Sequence, residues 1–164
     1  MKSQLSLPKH TFYVDNLFAF QPLPYVDTMY YLDVDLYRYF IGREGQSVQE
    51  ETMLKRIDQQ LLVNRLMIDT MQLSLRENKK RYAYMVKYLT MISVVSTILL
   101  VRSGTKEHLK RKMSYWQYLK FEKPWLYRNV NHTLLGKAIQ RKTWAGRKFL
   151  SVMYDISQKI FAFN

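Results

Sequence analysis

The 164-residue chain contains no cysteine. This absence excludes disulfide bonds, thiolate metal sites and cysteine nucleophiles, and it fits a reducing compartment. The three histidines, His10, His108 and His132, lie far apart along the sequence and show none of the short spacings found in zinc sites. The sequence therefore predicts no metal site and no cofactor held by this chain itself.

Acidic residues are scarce in the second half of the chain. Residues 1–80 contain ten lysines and arginines and ten acidic residues, whereas residues 81–164 contain sixteen and three, so the net charge of +13 belongs to the second half. This asymmetry favours an anionic partner, such as a phospholipid surface, a phosphorylated polymer or a nucleic acid. A basic face that only promotes solubility has the same composition. The sequence shows no nucleic-acid-binding motif.

Long hydrophobic runs are also missing. The most apolar segment covers residues 88–101 and includes two serines and two threonines. A membrane-spanning helix needs about 20 apolar residues, so we expect a buried core helix here. The first residues do not have the pattern of a signal peptide. With 48% hydrophobic and 15% aromatic residues, the chain has the composition of a folded domain.

Proline and polar residues divide the first 48 residues into short elements. A helix over residues 15–21 is expected to end before Pro22. Residues 28–32 and 36–41 are rich in tyrosine and apolar residues, which predicts two short strands. A polar loop that begins at Gly42 follows them.

The sequence after residue 48 predicts helices. Ser47 and Glu50 have the spacing of a capping box, which indicates the start of a long helix. An apolar residue recurs every three or four positions from Met53 to Leu75, and Asn64 is the one polar residue in that stripe. The stripe predicts a helix with one buried face.

Four further helices are predicted, over residues 81–102, 106–121, 124–136 and 143–161. Gly104 is suited to end the first of them, and Thr105 is suited to cap the next. The predicted fold is therefore mainly α: a helical bundle, residues 49–164, preceded by a small α+β segment, residues 1–48.

Three aspartates in the first segment are candidates for chemistry. Asp33 and Asp35 form a DxD sequence, and such paired carboxylates can bind Mg²⁺ or Mn²⁺. Their place between two predicted strands favours a turn instead. Asp15 stands at the predicted start of a helix, where an aspartate commonly caps the helix, although a carboxylate can also serve as a general base.

Residues 10–69 resemble part of a known enzyme family. The similarity lies in the segments YVDNLF, QPLPYV, YYLDVDLYRYFIGRE, QSV and RIDQQ. They are similar to the region just past the catalytic centre of bacterial family 2 glycosyltransferases, which have a GT-A fold. The later helices resemble, more weakly, the C-terminal extension of a Gram-positive-type subgroup of these enzymes.

The resemblance implies roles for four residues. Many of these enzymes place an acidic pair at the start of a helix below the acceptor site, and the second member often acts as the catalytic base. Asp15 matches that second member, and Val14 stands in the place of the first. In the same family, the loop after the last strand of the catalytic domain lies near the donor diphosphate. This implies a donor- or acceptor-binding role for Arg43, Gln46 and Ser47.

The resemblance also implies an activity for a whole enzyme. It would transfer a sugar from a nucleotide-sugar donor to a cell-surface glycan or a lipid-linked acceptor, with Mg²⁺ or Mn²⁺ held by an N-terminal catalytic region that this chain lacks. This chain alone is expected to be inactive, and to lie in the cytoplasm or peripherally on the inner face of the membrane. The alternatives are a non-catalytic basic helical module on anionic membranes and, less favoured, a nucleic-acid-binding protein.

Overall fold

The computed structural model describes residues 5–38, 40, 49–133, 137, 148 and 152, and the protein is mainly helical within them. The elements in chain order are α1 (Val14–Phe20), a 3-10 turn (Leu23–Tyr25), α2 (Glu50–Lys55), α3 (Ile57–Thr70), a second 3-10 turn (Leu73–Glu77), α4 (Lys79–Arg102), α5 (Lys106–Glu122) and α6 (Pro124–His132). This arrangement confirms the predicted helical bundle.

Helix α4 lies at the centre of the bundle. It packs against α3, α5 and α6, while α1 packs against α3. Leu17 of α1, Met67 of α3, Leu89 and Leu99 of α4 and Leu119 of α5 are all fully buried in one core. Each such side chain stabilises the fold by about 1.5–3 kcal/mol. The same core therefore holds α1 firmly against the long helices.

The buried face of α4 is partly polar. The hydroxyls of Thr90 and Ser93 each donate a hydrogen bond of 2.7 Å to the carbonyl four residues earlier in the helix. The Trp116 indole of α5 donates to Thr97 Oγ1 at 3.1 Å. Buried polar groups are costly unless they are paired, and these bonds satisfy the hydroxyls inside the core.

By length and composition, α4 could cross a membrane, and it is the one such helix in the described residues. In its most apolar window, 61% of the residues are buried inside the protein. Its buried hydroxyls bond to its own backbone and to neighbouring helices. This burial agrees with the core helix expected from residues 88–101.

The turn between α4 and α5 is as predicted. Gly104 has a positive φ of 67°, a conformation that glycine adopts without the cost that a side chain brings. Thr105 precedes α5, and its hydroxyl accepts a hydrogen bond from the His108 amide at 3.2 Å. Pro124 occupies the first position of α6, where its missing amide costs nothing.

The long helix predicted after residue 47 is broken into α2 and α3. The break lies at Arg56, which has φ −108° and ψ 16°. The expected capping box is also wrong at Glu50: Gln49 is the N-cap, and Glu50 accepts a 2.7 Å hydrogen bond from Arg102 Nε of α4. Because the Glu50 carboxylate pairs with Arg102 of α4, it is not available to bind a backbone amide as a capping box requires. Ser47 lies outside the described residues.

The two predicted strands do not appear in residues 28–38 and 40, which have no regular secondary structure. Their apolar side chains are exposed, with Tyr30 at 88% and Leu36 at 85% of full exposure. A two-stranded ribbon needs a third strand or a covering helix to be stable, and no described element covers this one. Of the predicted helix over residues 143–161, only Lys148 and Val152 are described, and both are helical. Gly136 lies outside the described residues.

Candidate functional site

Asp15 lies on the exposed side of α1. It is the second residue of the helix and makes no hydrogen bond or ion pair within the described part of the chain. Phe18, three residues later and so on the same side, is 62% exposed. The opposite side of α1 is anchored by Leu17 and Phe20, which are fully buried. The carboxylate is therefore open to solvent, although its backbone is fixed.

The carboxylate of Asp15 does not cap the helix. The N-cap is Tyr13, a left-handed residue with φ 67°, and no side chain caps the first turn. The side chain of Asn16 donates to the Tyr13 carbonyl at 3.1 Å. The positive end of the helix dipole still favours a carboxylate in the first turn. The capping interpretation of Asp15 is therefore wrong, because the turn at Tyr13 starts the helix.

The first turn of α1 and the residues just before it are held by contacts to other parts of the bundle. The Tyr88 hydroxyl of α4 donates to Asn16 Oδ1 at 3.1 Å. The Phe12 amide donates to Gln59 Oε1 of α3 at 2.7 Å, and the Arg56 guanidinium lies 3.5 Å from the centre of the Phe12 ring. Such a cation–π contact contributes about 0.5–2 kcal/mol. These three contacts fix the start of α1, and with it Asp15.

Two tyrosine hydroxyls lie within electrostatic reach of Asp15. Burial raises the pKa of Tyr88, and the charge of Asp15 raises it further. Burial also raises the pKa of Tyr13; there the Arg56 charge lowers the pKa and the Asp15 charge raises it. Both hydroxyls therefore stay neutral at physiological pH. Asp15 therefore carries its negative charge beside the neutral hydroxyls and the aromatic rings of Tyr13 and Tyr88.

The RIDQQ segment turns out to organise this site, which sequence reasoning missed. Arg56 and Gln59 contact Phe12, as described above. Asp58 pairs with Arg111 of α5, and Gln60 donates to Asn64 at 2.9 Å in the core. The segment is one of those on which the resemblance to glycosyltransferases rests, and that was the signal that could have linked it to Asp15.

Asp33 and Asp35 lie on the exposed segment that follows the first 3-10 turn. The Leu36 amide donates to the Val34 carbonyl at 3.0 Å, which closes a three-residue turn around Asp35. This agrees with the expected turn. In the described ranges no three histidine or acidic side chains converge.

The other three predicted site residues, Arg43, Gln46 and Ser47, lie outside the described residues.

Helix α5 carries a basic surface with exposed apolar residues. Five exposed residues follow each other at helical spacing along α5: Lys106, Lys110, Met113, Gln117 and Lys120. Met113 is 55% exposed, and Phe121, at the end of the same helix, is 76% exposed. Basic side chains that surround apolar ones are typical of a helix that lies on a membrane surface.

Comparison with known proteins gives no relative from which to take a function: no family model, no curated protein and no solved structure matches this chain.

Proposed function

We propose that this chain is the C-terminal part of a family 2 glycosyltransferase, and that Asp15 is the catalytic base on its acceptor side. The supporting observation is the state of the Asp15 carboxylate: it is exposed, has no partner in the described structure and stands on a helix anchored in the core. Exposed aspartates are common on protein surfaces, but Asp15, unlike Asp27, stands on a helix that is anchored in the core.

The chemistry requires such a group. A sugar hydroxyl is a weak nucleophile, and a carboxylate within hydrogen-bond reach accepts its proton as the oxygen attacks the anomeric carbon of the donor. The bond from that carbon to the nucleotide diphosphate breaks, and the diphosphate leaves. Phe18 lies beside Asp15 on the exposed side of α1 and offers an apolar surface to a sugar ring. In the whole enzyme a divalent cation would stabilise the charge of the leaving diphosphate.

The exposed residues 28–38 and 40 support the proposal that these residues pair with a catalytic domain. They include Met29, Tyr30, Leu36, Tyr37 and Phe40, each more than three-quarters exposed. Apolar patches of this kind mark interaction surfaces. We propose that residues 28–32 and 36–41 become strands when the sheet of the catalytic domain pairs with them. Residues 1–48 would then belong to that domain.

The same docking would bring the loop that begins at Gly42 to the active site. We propose that Arg43, Gln46 and Ser47 then line the donor side of the active site, with the Arg43 guanidinium on the diphosphate, since arginine binds phosphate oxygens in a bidentate way.

Replacing Asp15 in the full-length enzyme tests the proposed base. We expect Asp15→Asn to lower the rate of sugar transfer by about 10²–10⁴-fold, the usual contribution of general-base catalysis. The fold should be unaffected, because the carboxylate makes no bond in the described structure. Asp27→Asn is the matched control, since Asp27 is another exposed aspartate close along the chain. Unchanged turnover in Asp15→Asn would contradict the proposal.

The basic surface of α5 favours a second candidate function, peripheral docking on anionic membranes, which a module without catalytic activity could also perform. The observation that favours it is the exposure of Met113 and Phe121 among lysines. We expect the chain to sediment with vesicles of anionic lipid but not with neutral ones, and Phe121→Ser to weaken the binding. Tight, strongly salt-dependent binding to duplex DNA or RNA, with none to vesicles, would contradict this docking.

A further inference from the structure

A cleft of about 410 Å³ opens at the C-terminal end of α1. It lies between the two 3-10 turns and the start of α4. Its volume falls in the range of small-molecule sites. Six of its lining side chains carry the argument: Gln21, Tyr25, Thr70, Gln72, Glu77 and Arg81.

The walls of the cleft combine several kinds of polar group with one aromatic ring. Gln21 and Gln72 provide amides, Thr70 a hydroxyl, and Tyr25, which is 52% exposed, a ring face. Glu77 and Arg81 bring one charge of each sign, so neither a simple anion nor a simple cation is favoured. Alternating donors and acceptors next to an aromatic surface suit a neutral molecule with many hydroxyl groups.

Two atoms of these walls have unused hydrogen-bonding capacity. Gln21 Oε1 and Arg81 Nε are both shielded from solvent and have no hydrogen-bond partner in the described structure. Arg81 itself is held in place, because its Nη1 donates to the Val26 carbonyl at 2.9 Å. An unpaired acceptor and an unpaired donor are each costly. Once a small shift of the two side chains opens these atoms to the cleft, a ligand hydroxyl can donate to the first and accept from the second, which an ionised carboxylate or phosphate oxygen cannot do.

The cleft lies away from Asp15 along the same helix. Gln21 lies six positions after Asp15, which corresponds to about 9 Å along the axis of an α-helix. This distance exceeds the width of one sugar ring. A glycan chain that follows α1 could therefore place one unit at Asp15 and a later unit in the cleft.

We propose that this cleft binds a neutral glycan, and that it holds a unit of the acceptor remote from the unit that reacts at Asp15. The identification of this glycan as the acceptor rests on the proposed function. It narrows the acceptor to a chain of at least two sugars, because a single sugar cannot reach both places.

Titration of the 164-residue chain with neutral trisaccharides of glucose, galactose, rhamnose or N-acetylglucosamine, followed by NMR, tests the inference. We expect at least one trisaccharide to shift signals of the cleft residues. Tyr25→Ala should weaken that binding about 5- to 10-fold through loss of the ring. Tyr30→Ala is the matched control, because Tyr30 is an exposed tyrosine outside the cleft. Gln21→Ala provides a second cleft variant that leaves the ring in place.

The outcomes separate this inference from the proposed function. If no trisaccharide shifts the cleft signals at the highest soluble concentration, or if Tyr25→Ala and Tyr30→Ala bind equally well, the cleft is not a glycan site, whatever the role of Asp15. Preferential binding of inorganic pyrophosphate in the cleft would also overturn the inference. If a trisaccharide binds and the Asp15→Asn enzyme keeps its full rate, the glycan site stands and the proposed base fails.

Discussion

Asn64 offers the sharpest test of how the core is built. It is fully buried on α3. Its Oδ1 accepts from Gln60 Nε2 at 2.9 Å, and its Nδ2 donates to Ser96 Oγ of α4 at 2.9 Å. Ser96 in turn donates to the Ile92 carbonyl at 3.0 Å. The perturbation is Asn64→Leu, which keeps the number and branching of the side-chain heavy atoms and removes the amide.

The cost of this change follows from what it leaves unpaired. Gln60 is 4% exposed, so its amide loses its acceptor where water cannot replace it. A buried unsatisfied group of this kind costs about 1–3 kcal/mol. Ser96 loses a donor but keeps its own bond to Ile92. The apolar surface of the new leucine offsets part of the loss. We therefore expect Asn64→Leu to destabilise the protein by about 2 kcal/mol.

The double variant separates this explanation from a simple packing defect. Gln60→Leu alone leaves Asn64 Oδ1 without its donor and should also cost about 2 kcal/mol. When both amides are replaced by apolar groups, neither is left unpaired, so the double variant should lose only about 1 kcal/mol. Gln117→Leu, at an exposed position of α5, is the control and should change stability by no more than about 0.5 kcal/mol.

Urea unfolding followed by circular dichroism measures these differences directly. In thermal melts each single variant should lose about 4–8 °C, since 1 kcal/mol corresponds to about 2–4 °C in a protein of this size. Single variants as stable as the parent would refute the assigned network. Strict additivity in the double variant would show that the amides do not depend on each other.

The remaining predictions concern alkaline pH. The Tyr118 hydroxyl donates to Asp69 Oδ1 at 2.6 Å, and burial, followed by the hydrogen bond and the charge of Asp69, raises the pKa of Tyr118 to about 12 from 10.0. Because the folded state keeps this proton longer than the unfolded state, the stabilisation is complete below pH 10 and is lost as the pH rises through about 12. The parent chain should therefore show falling urea midpoints over that window. Tyr118→Phe should show a shallower decline, and equal slopes would count against the assignment.

Local chain chemistry was enough to predict most of the helices. Pro22 follows α1 closely, Gly104 adopts the left-handed turn, and Thr105 caps α5. Each of these effects acts within one turn of the chain, so the sequence carries it directly. The boundaries agree to within two residues for α1, α4 and α5.

Other features depended on partners that are remote in the sequence. Glu50 was free in the sequence to complete a capping box, but in the fold it pairs with Arg102, 52 residues away. Asn64 looked like an interruption of an apolar stripe, and Ser96 makes it part of the core. A pattern along one helix cannot show what a second helix will present to it.

In the candidate site, too, some features could be predicted from the sequence and others depended on remote contacts. The sequence and its resemblance singled out Asp15, but they could not show whether its carboxylate was used in a cap. The turn at Tyr13, held by Asn16 and Tyr88, decides that it is not. The polar cleft beyond Gln21 could not be predicted at all, because its walls come from three separate parts of the chain.

By itself, the sequence determined the helical character of this protein, the helix ends set by proline, glycine and threonine, and the concentration of positive charge in its second half. Periodicity, capping and composition are local or additive properties, so they can be read without a fold. Only the tertiary structure decided which polar side chains are paired in the core, which carboxylate stays accessible, and that residues 28–38 are exposed and have no regular secondary structure. Those outcomes depend on contacts between distant segments.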